Sequence, residues 1–362
     1  MPVTFGAHNP YRNLIMKNIL TALSVAFVCA ACSTPVDFTE YGKGEPTQIE
    51  LTAHALDTAI LYSDGLFVRD SLIINVNPQN RNSLFDIFSK NDFRYLGSCG
   101  RIGRGPDEFD FVNTNSMQMG YGGLAFAEIN TYCVTDFLVS DGGIQVKKGS
   151  STKMPASCPV ANSLLVLSDS TAVLYFENDD DVEFYLHDRT GNSIRPASHY
   201  PKSLLPHKMS SAQCGTLFLN DLVLSQSKRR FAAVYSQLPM IRIFDYDGAC
   251  LATSLLDTRS EQTVTVKDGS VVTSASVQYY LAAAANDSYI CALYLGRRPE
   301  DMREVAMEDA RMEIHVWNWA GEPVATYLPD RLITDLALGD DNTIYALSPL
   351  DDSHVFTYKI AL

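Results

Sequence analysis

Past residue 45 the chain alternates short runs of Val, Ile, Leu, Phe and Tyr with clusters of Gly, Asp, Asn and Ser, about every eight to twelve residues. Almost none of it shows helical spacing. Strand-length apolar runs between turn residues predict an all-β domain built as a sandwich, a barrel or a propeller. One unit recurs: an apolar strand ending in Asp, Asn or Ser, then Gly or Asp three residues later, then a further strand. It stands at Leu84–Ser89 with Asp92, Phe137–Ser140 with Gly143, Phe184–Asp188 with Gly191, Ile241–Asp245 with Gly248 and Ile314–Asn318 with Gly321. From the third copy on, a glycine offers the positive φ that a tight hairpin turn requires.

The units recur at intervals of about 50 residues, with room for four strands each, which is the signature of propeller blades. The longer interval before the fifth copy holds two polar insertions, near Thr258–Ser276 and Gly296–Arg311, expected as loops on one face. A sixth unit begins with Ile333–Leu338 and Thr343–Leu347 and reaches only a third strand, Val355–Tyr358. The strand Gln48–Thr52 is expected to supply the missing outer strand and so leave no open blade at the seam. The fold expected is an all-β, six-bladed β-propeller over residues 46–362, its last blade closed by an N-terminal strand.

Ahead of it, Met16-Lys17-Asn18 opens a weakly basic segment followed by a thirteen-residue apolar run, Ile19–Ala31. That run is too short to cross roughly 30 Å of hydrocarbon as a helix but fits the core of a secretory signal. Ala30 and Ala31 directly before Cys32 are the small residues a lipoprotein signal peptidase needs, although Cys29 stands where Leu is usual. The expected organisation is a signal peptide over 1–31 (1–15 reading as an over-extended start), then a lipidated tether over 32–45. The Cys32 thiol would carry diacylglycerol, and Ser33 after it points to the outer membrane, on its periplasmic or cell-surface side. Each buried methylene of such an anchor contributes about 0.8 kcal/mol.

Composition narrows the partners. With 46% apolar and 19% charged residues the chain is neither disordered nor polytopic. The formal charge is −14, and residues 1–31 hold two bases and no acid, so the remainder is more acidic still. Such a surface does not bind nucleic acid through phosphates and repels anionic lipid, leaving the acyl anchor as the membrane contact. Cys99, Cys133, Cys158, Cys214, Cys250 and Cys291 are scattered singly without a CxxC pair, and several lie in apolar strands. They are expected to be buried free thiols and not zinc ligands.

The run Gly97–Phe109 contains Gly100-Arg101-Ile102-Gly103-Arg104-Gly105-Pro106-Asp107-Glu108-Phe109, which resembles the GxxGxGPxEF signature of TolB-like six-bladed propeller lipoproteins common in Bacteroidetes. The lipobox, length and closing strand are similar to that family too. The resemblance implies a six-bladed propeller tethered to the outer membrane and no agreed catalytic residues. As chemistry, the run is not a phosphate loop, because Pro106 removes an amide and two acids follow it. Its structural reading is a tight link between blades 1 and 2, with Phe109 and Phe111 plugging the core. Its functional reading aims Arg101 and Arg104 at the channel to hold an anion. Arg297 and Arg298, in an insertion, are further candidate ligand or partner contacts.

Metal and cofactor chemistry is weakly marked. Asp245–Gly248 lacks the spacing of a calcium loop. Glu177, Asp179, Asp180 and Asp181 crowd four carboxylates into five residues, a weak calcium candidate that reads more simply as a solvated tip. His187 and His315 are expected at equivalent strand positions in two blades, as a structural repeat would place them. No cofactor is implied, and no nucleophile elbow occurs. The function expected is a monomeric, non-catalytic docking module for an envelope protein or glycan. The alternative is an enzyme at the channel mouth, such as a glycan lyase or hydrolase or a lactonase. That alternative calls for polar residues where the inner strands start. Leu66-Phe67-Val68, Leu164-Leu165-Val166 and Leu222-Val223-Leu224 argue against it.

Overall fold

Strand-forming runs joined by short polar turns fold here into six blades, each of four consecutive antiparallel strands or, in the last, three with an N-terminal fourth, besides a small hairpin of Val266–Lys267 and Ser270–Val271. The computed structural model describes residues 38–362 apart from 43, 81, 106–107, 141–142, 159, 205–208, 258–263 and 308. The signal-like segment and Cys32 lie outside the described residues. Blade 1 comprises Leu66–Arg69, Leu72–Val76, Phe85–Ser89 and Tyr95–Cys99. Blade 2 comprises Asn113–Gly120, Gly123–Glu128, Thr131–Ser140 and Gly143–Lys148, and blade 3 Ser163–Val166, Thr171–Tyr175, Val182–Asp188 and Ser193–His199. Blade 4 follows as Asn220–Ser225, Arg230–Tyr235, Met240–Asp245 and Cys250–Asp257, then blade 5 as Gln278–Ala285, Tyr289–Arg297, Glu313–Asn318 and Pro323–Pro329. Blade 6 is Asp335–Leu338, Thr343–Ser348 and Asp351–Lys359, completed by Thr52–Ala55.

The recurring unit is the turn from third to fourth strand. The strand-ending side chain caps it: Oδ1 of Asp188 accepts from the amides of Thr190 and Gly191, that of Asp245 from Asp247 and Ala249, and that of Asn318 from Ala320 and Glu322. These are Asx turns, which is why Asp and Asn recur there. Gly248 and Gly321 take positive φ, but in blade 3 Asn192 takes it and Gly191 does not. The glycines also serve the ring. A Cβ on Gly248 would stand 2.4 Å from the Ala197 methyl, and one on Gly321 2.9 Å from that of Ala252. Each turn thus seats on an alanine in the outer strand of the preceding blade.

Buried apolar side chains fall into six clusters, one at each seam between neighbouring blades, including the seam between blades 6 and 1. Among the described residues the core is therefore a ring of interfaces. At the seam of blades 3 and 4, Phe184 meets Phe231 and Phe244. In the same seam the buried Arg242 donates to Glu183, whose carboxylate also accepts from Tyr235 and Ser198. Burial works against the Arg242 charge, but the Glu183 carboxylate outweighs it and raises the guanidinium pKa.

Ring closure differs in register from the sequence expectation. The closing strand is Thr52–Ala55, antiparallel to blade 6 with Thr52 opposite Thr357 and Ala55 opposite His354. Gln48 and Ile49 belong to Thr47–Ile49, which runs parallel along the outer strand of blade 5. Still earlier, Thr39–Gly42, inside the segment read as tether, runs parallel along the outer strand of blade 4. One N-terminal strap therefore crosses three blades. Ile49 and Leu51 alternate as a strand would, but they are the crossing residues: both are buried in the seam of blades 5 and 6. The Asp330 carboxylate accepts from the Leu51 amide there, and the Asp330 amide donates to the Ile49 carbonyl.

A short helix, Ser211–Leu217, joins blades 3 and 4, capped by a reciprocal pair of bonds between Ser210 and Gln213. All six cysteines in the described residues are unpaired; four are buried, Cys99 is half-buried, and Cys250 departs from expectation by being exposed.

Candidate functional site

The six inner strands run in one direction, so their first residues meet at one mouth of the central channel and their last residues at the other. Antiparallel neighbours put the links between blades, and the loops between second and third strands, on the first of these faces. That face, called upstream here, carries the helix Ser211–Leu217 and the described parts of both polar insertions, which the sequence led one to expect on one face.

The channel has two chambers that share Leu66, Phe67, Gln118 and Ala283 in their linings. The downstream chamber, about 390 Å³, includes Arg69, Asp70, Asp287 and Asp340. Its one cation in the lining is engaged, with Arg69 Nε lying 3.3 Å from the Asp136 carboxylate. The upstream chamber, about 380 Å³, is lined by Asp64, Asp221 and Asp335 with Ser63, Thr114, Asn115 and Thr334, over a floor of Phe67, Met117 and Leu281. Among the described residues no Lys, Arg or His lines it.

These carboxylates correct the sequence reading that inner strands begin in apolar residues. Asp221 and Asp335 directly precede Leu222 and Leu336, and Asp64 stands two residues before Leu66. The signal in the sequence is an Asp just ahead of the apolar run of the inner strand in blades 1, 4 and 6.

Asp221 sits at the waist. Its carboxylate accepts from the Gln118 side chain of blade 2 and from the Ala283 backbone amide of blade 5, so one side chain of blade 4 gathers three blades. Burial raises its pKa to about 7. Asp335 is also raised by burial, with the neighbouring Asp64 carboxylate adding to it, while Thr334 Oγ1 donates to it at 3.2 Å. Blade 3 takes no part in the lining. Its inner strand lies behind those of blades 2 and 4, where Ser163 Oγ donates to the Asn220 carbonyl at 2.6 Å and Gly120 lets the backbone of Val166 approach.

The residues singled out from sequence all belong to upstream loops or strand ends, but outside the chamber lining. Arg101 and Arg104 are exposed, and each faces an acid of its own loop, Glu108 at 3.4 Å and Asp110 at 2.9 Å, so neither projects into the channel. Phe109 is fully buried against Phe85 and Phe126, whereas Phe111 is 49% exposed and plugs nothing. Arg297 ends the second strand of blade 5 opposite Gln278, and Arg298 Nη1 lies 4.0 Å from Glu300. Around Glu177, Asp179, Asp180 and Asp181 the carboxylates diverge. Lys202 holds Asp181 at 2.6 Å, lowering its pKa, and Tyr185 donates to Asp180 at 3.4 Å. Among the described residues no three His, Cys, Asp or Glu stand where they could hold a metal ion.

His187 and His315 are both buried with Nδ1 facing a tyrosine hydroxyl, Tyr132 at 2.9 Å and Tyr280 at 3.4 Å. They are not equivalent: His187 directly precedes the turn residue Asp188, and His315 stands three before Asn318.

A ring of six blades around a narrow channel, closed by an N-terminal strand, defines a six-bladed propeller. Residues 46–341 match the family model described as TolB-like 6-blade propeller-like, and the chain belongs to that family. It is similar in fold to the crystal structure of a Bacteroides fragilis protein whose name assigns it to the exported proteins, at 12% identity and a TM-score of 0.57, covering 90% of this chain and 100% of that one. A DUF4221 family member from Bacteroides vulgatus is similar at 11% identity and a TM-score of 0.54, covering 86% and 97%. No curated protein matches the chain.

Proposed function

We propose that this chain is an exported lipoprotein, anchored to the outer membrane through Cys32, whose propeller is a non-catalytic docking module for an envelope partner. The observation that carries this reading is the upstream chamber. Five blades line one concavity of about 380 Å³, four of them with polar side chains, on the face where the long loops also gather. That size lies in the range of roughly 300–1,000 Å³ usual for binding sites. The cations Arg101, Arg104 and Arg297, exposed, and Arg298, partly so, on the same face would serve as rim contacts, worth little alone because they are solvated. The chain's exported structural neighbour and its signal-like segment support the address.

The test is site-specific photocrosslinking in intact cells, with the probe placed at Leu61 or Phe111 upstream and at Leu251 on an outer strand as reference. A single dominant adduct from the upstream positions supports docking there. Adducts only from Leu251, or the same diffuse pattern from all three, overturn it.

The catalytic alternative draws on the same carboxylates. Asp221, held partly protonated near neutrality, has the pKa of a general acid, and Asp64 and Asp335 stand in the same chamber. Release of reducing ends from envelope glycan that Asp221→Asn abolishes would favour that reading over docking.

A further inference from the structure

We infer that the occupant of the upstream face is a polypeptide segment that places a lysine or arginine in the chamber and apolar side chains on its rim. This rests on the docking reading above and names the chemistry of the partner.

Two observations converge on it. The first is a set of carboxyl groups with no base to meet them, of which Asp221 carries only part of a charge near pH 7. Asp64, Asp221 and Asp335 come from three blades, and among the described residues no base lines their chamber. None of the three has an ion-pair partner among the described residues, whereas in the downstream chamber Arg69 meets Asp136. A neutral glycan would leave this negative potential as it is and an anion would add to it. A cationic side chain entering a concavity with low-dielectric walls is attracted more strongly than the same cation on an open surface.

The second observation is the rim. Leu61 is 81% exposed and Tyr62 36% exposed, and the next residues, Ser63 and Asp64, line the chamber. Phe111 is 49% exposed on the link into blade 2, three residues before the lining residue Thr114. Three large apolar side chains on two adjacent links are not needed by the fold. They have the character of an interface core, where aromatic and aliphatic residues cluster. A free metal ion or a small polyamine would use the acids and leave this rim uncovered, and a lipid surface would be repelled by them. A basic side chain flanked by apolar ones satisfies both.

The test is selection of random seven-residue peptides displayed on beads against the full-length protein in detergent. The peptides recovered are then titrated by fluorescence against wild type, Asp64→Asn/Asp335→Asn and Leu61→Glu/Phe111→Glu. Melting curves check that both variants fold. The expected peptides carry Lys or Arg between apolar residues. Their affinity should fall at least tenfold in the Asn variant and tenfold or more between 0.05 and 0.5 M salt, and vanish in the Glu variant. Peptides that need Leu61 and Phe111 but carry no basic residue would overturn this inference and leave the docking reading standing. Peptides indifferent to both variants, or a selection that recovers none, would count against docking on this face altogether.

Discussion

The ring of Tyr41 meets Trp317 edge-on with centroids 6.4 Å apart, and its hydroxyl lies 3.5 Å from that of Tyr280. Its strand, Thr39–Gly42, is hydrogen-bonded to blade 4, so Tyr41 carries the first segment of the strap across the seam into blade 5. That strand is otherwise exposed, and a four-residue edge strand has little else to hold it. Tyr41→Ala is expected to cost about 2 kcal/mol, the value of burying one large side chain. Truncations should rank in order. Removal through Gly42 lowers the urea midpoint modestly, whereas removal through Ala55 leaves blade 6 one strand short and abolishes the cooperative transition. Equal midpoints for the two truncations would mean that the strap does not close the ring.

Arg242 and Glu183 join blades 4 and 3 inside an aromatic seam where neither reaches water. Breaking such a pair strands a buried charge, so Arg242→Met alone should lose about 3–5 kcal/mol. Replacing both partners removes the stranded charge as well. Arg242→Met/Glu183→Leu should recover most of that loss, giving a large coupling energy in a double-mutant cycle by urea unfolding. Additive single effects would show that the two side chains do not act as a pair.

Asp221 gives stability a definite pH dependence. Its pKa is raised from 3.8 to about 7 by burial, so the folded protein holds this proton more tightly than the unfolded chain does. The contribution is full below about pH 4 and is lost as pH rises through about 7. Asp221→Asn, which keeps the shape of the protonated form, should therefore gain on wild type between pH 5 and pH 8. The difference in melting temperature between the two proteins, followed across that interval, should rise. A flat difference would mean that Asp221 is ionised throughout and that Gln118 and Ala283 suffice to hold the charge.

What could be read from the sequence was local. Asp188, Asp245 and Asn318 each cap a turn with their own side chain, so hairpin, period and blade count follow from residues a few positions apart. The strap is not local. Ile49 and Leu51 alternate like a strand, and only the neighbouring blades make them a crossing, with Thr52–Ala55 as the pairing segment. The helix Ser211–Leu217 is too short to show periodicity, although Ser210 and Gln213 carry the spacing of a capping box. Asp64, Asp221 and Asp335 lie more than a hundred residues apart in sequence and meet only because the ring closes. Arg101 and Arg104 stood out by their type in an acidic chain, and the acids that face them, Glu108 and Asp110, were already in the same loop. Conspicuous cations were therefore weaker guides to the site than an Asp repeated before inner strands.

The address rests on Cys32, and the acidity of the chain makes it testable. A chain with 42 acids against 28 bases is repelled by anionic headgroups, so charge cannot be what keeps it on a membrane. Two or three acyl chains would, and salt does not weaken them. The wild-type protein should stay in the membrane fraction through a high-salt wash and leave it with detergent. Cys32→Ala should move it to the soluble fraction. Retention of that variant would show that another segment or a partner holds the protein. Thr39 follows Cys32 by seven residues, a reach of at most about 25 Å. With the anchor at Cys32, the outer edge of blade 4 is expected near the bilayer. A spin label at Leu251, on that edge, should report a lipid-proximal environment that one at Ile144, on the outer strand of blade 2, does not share.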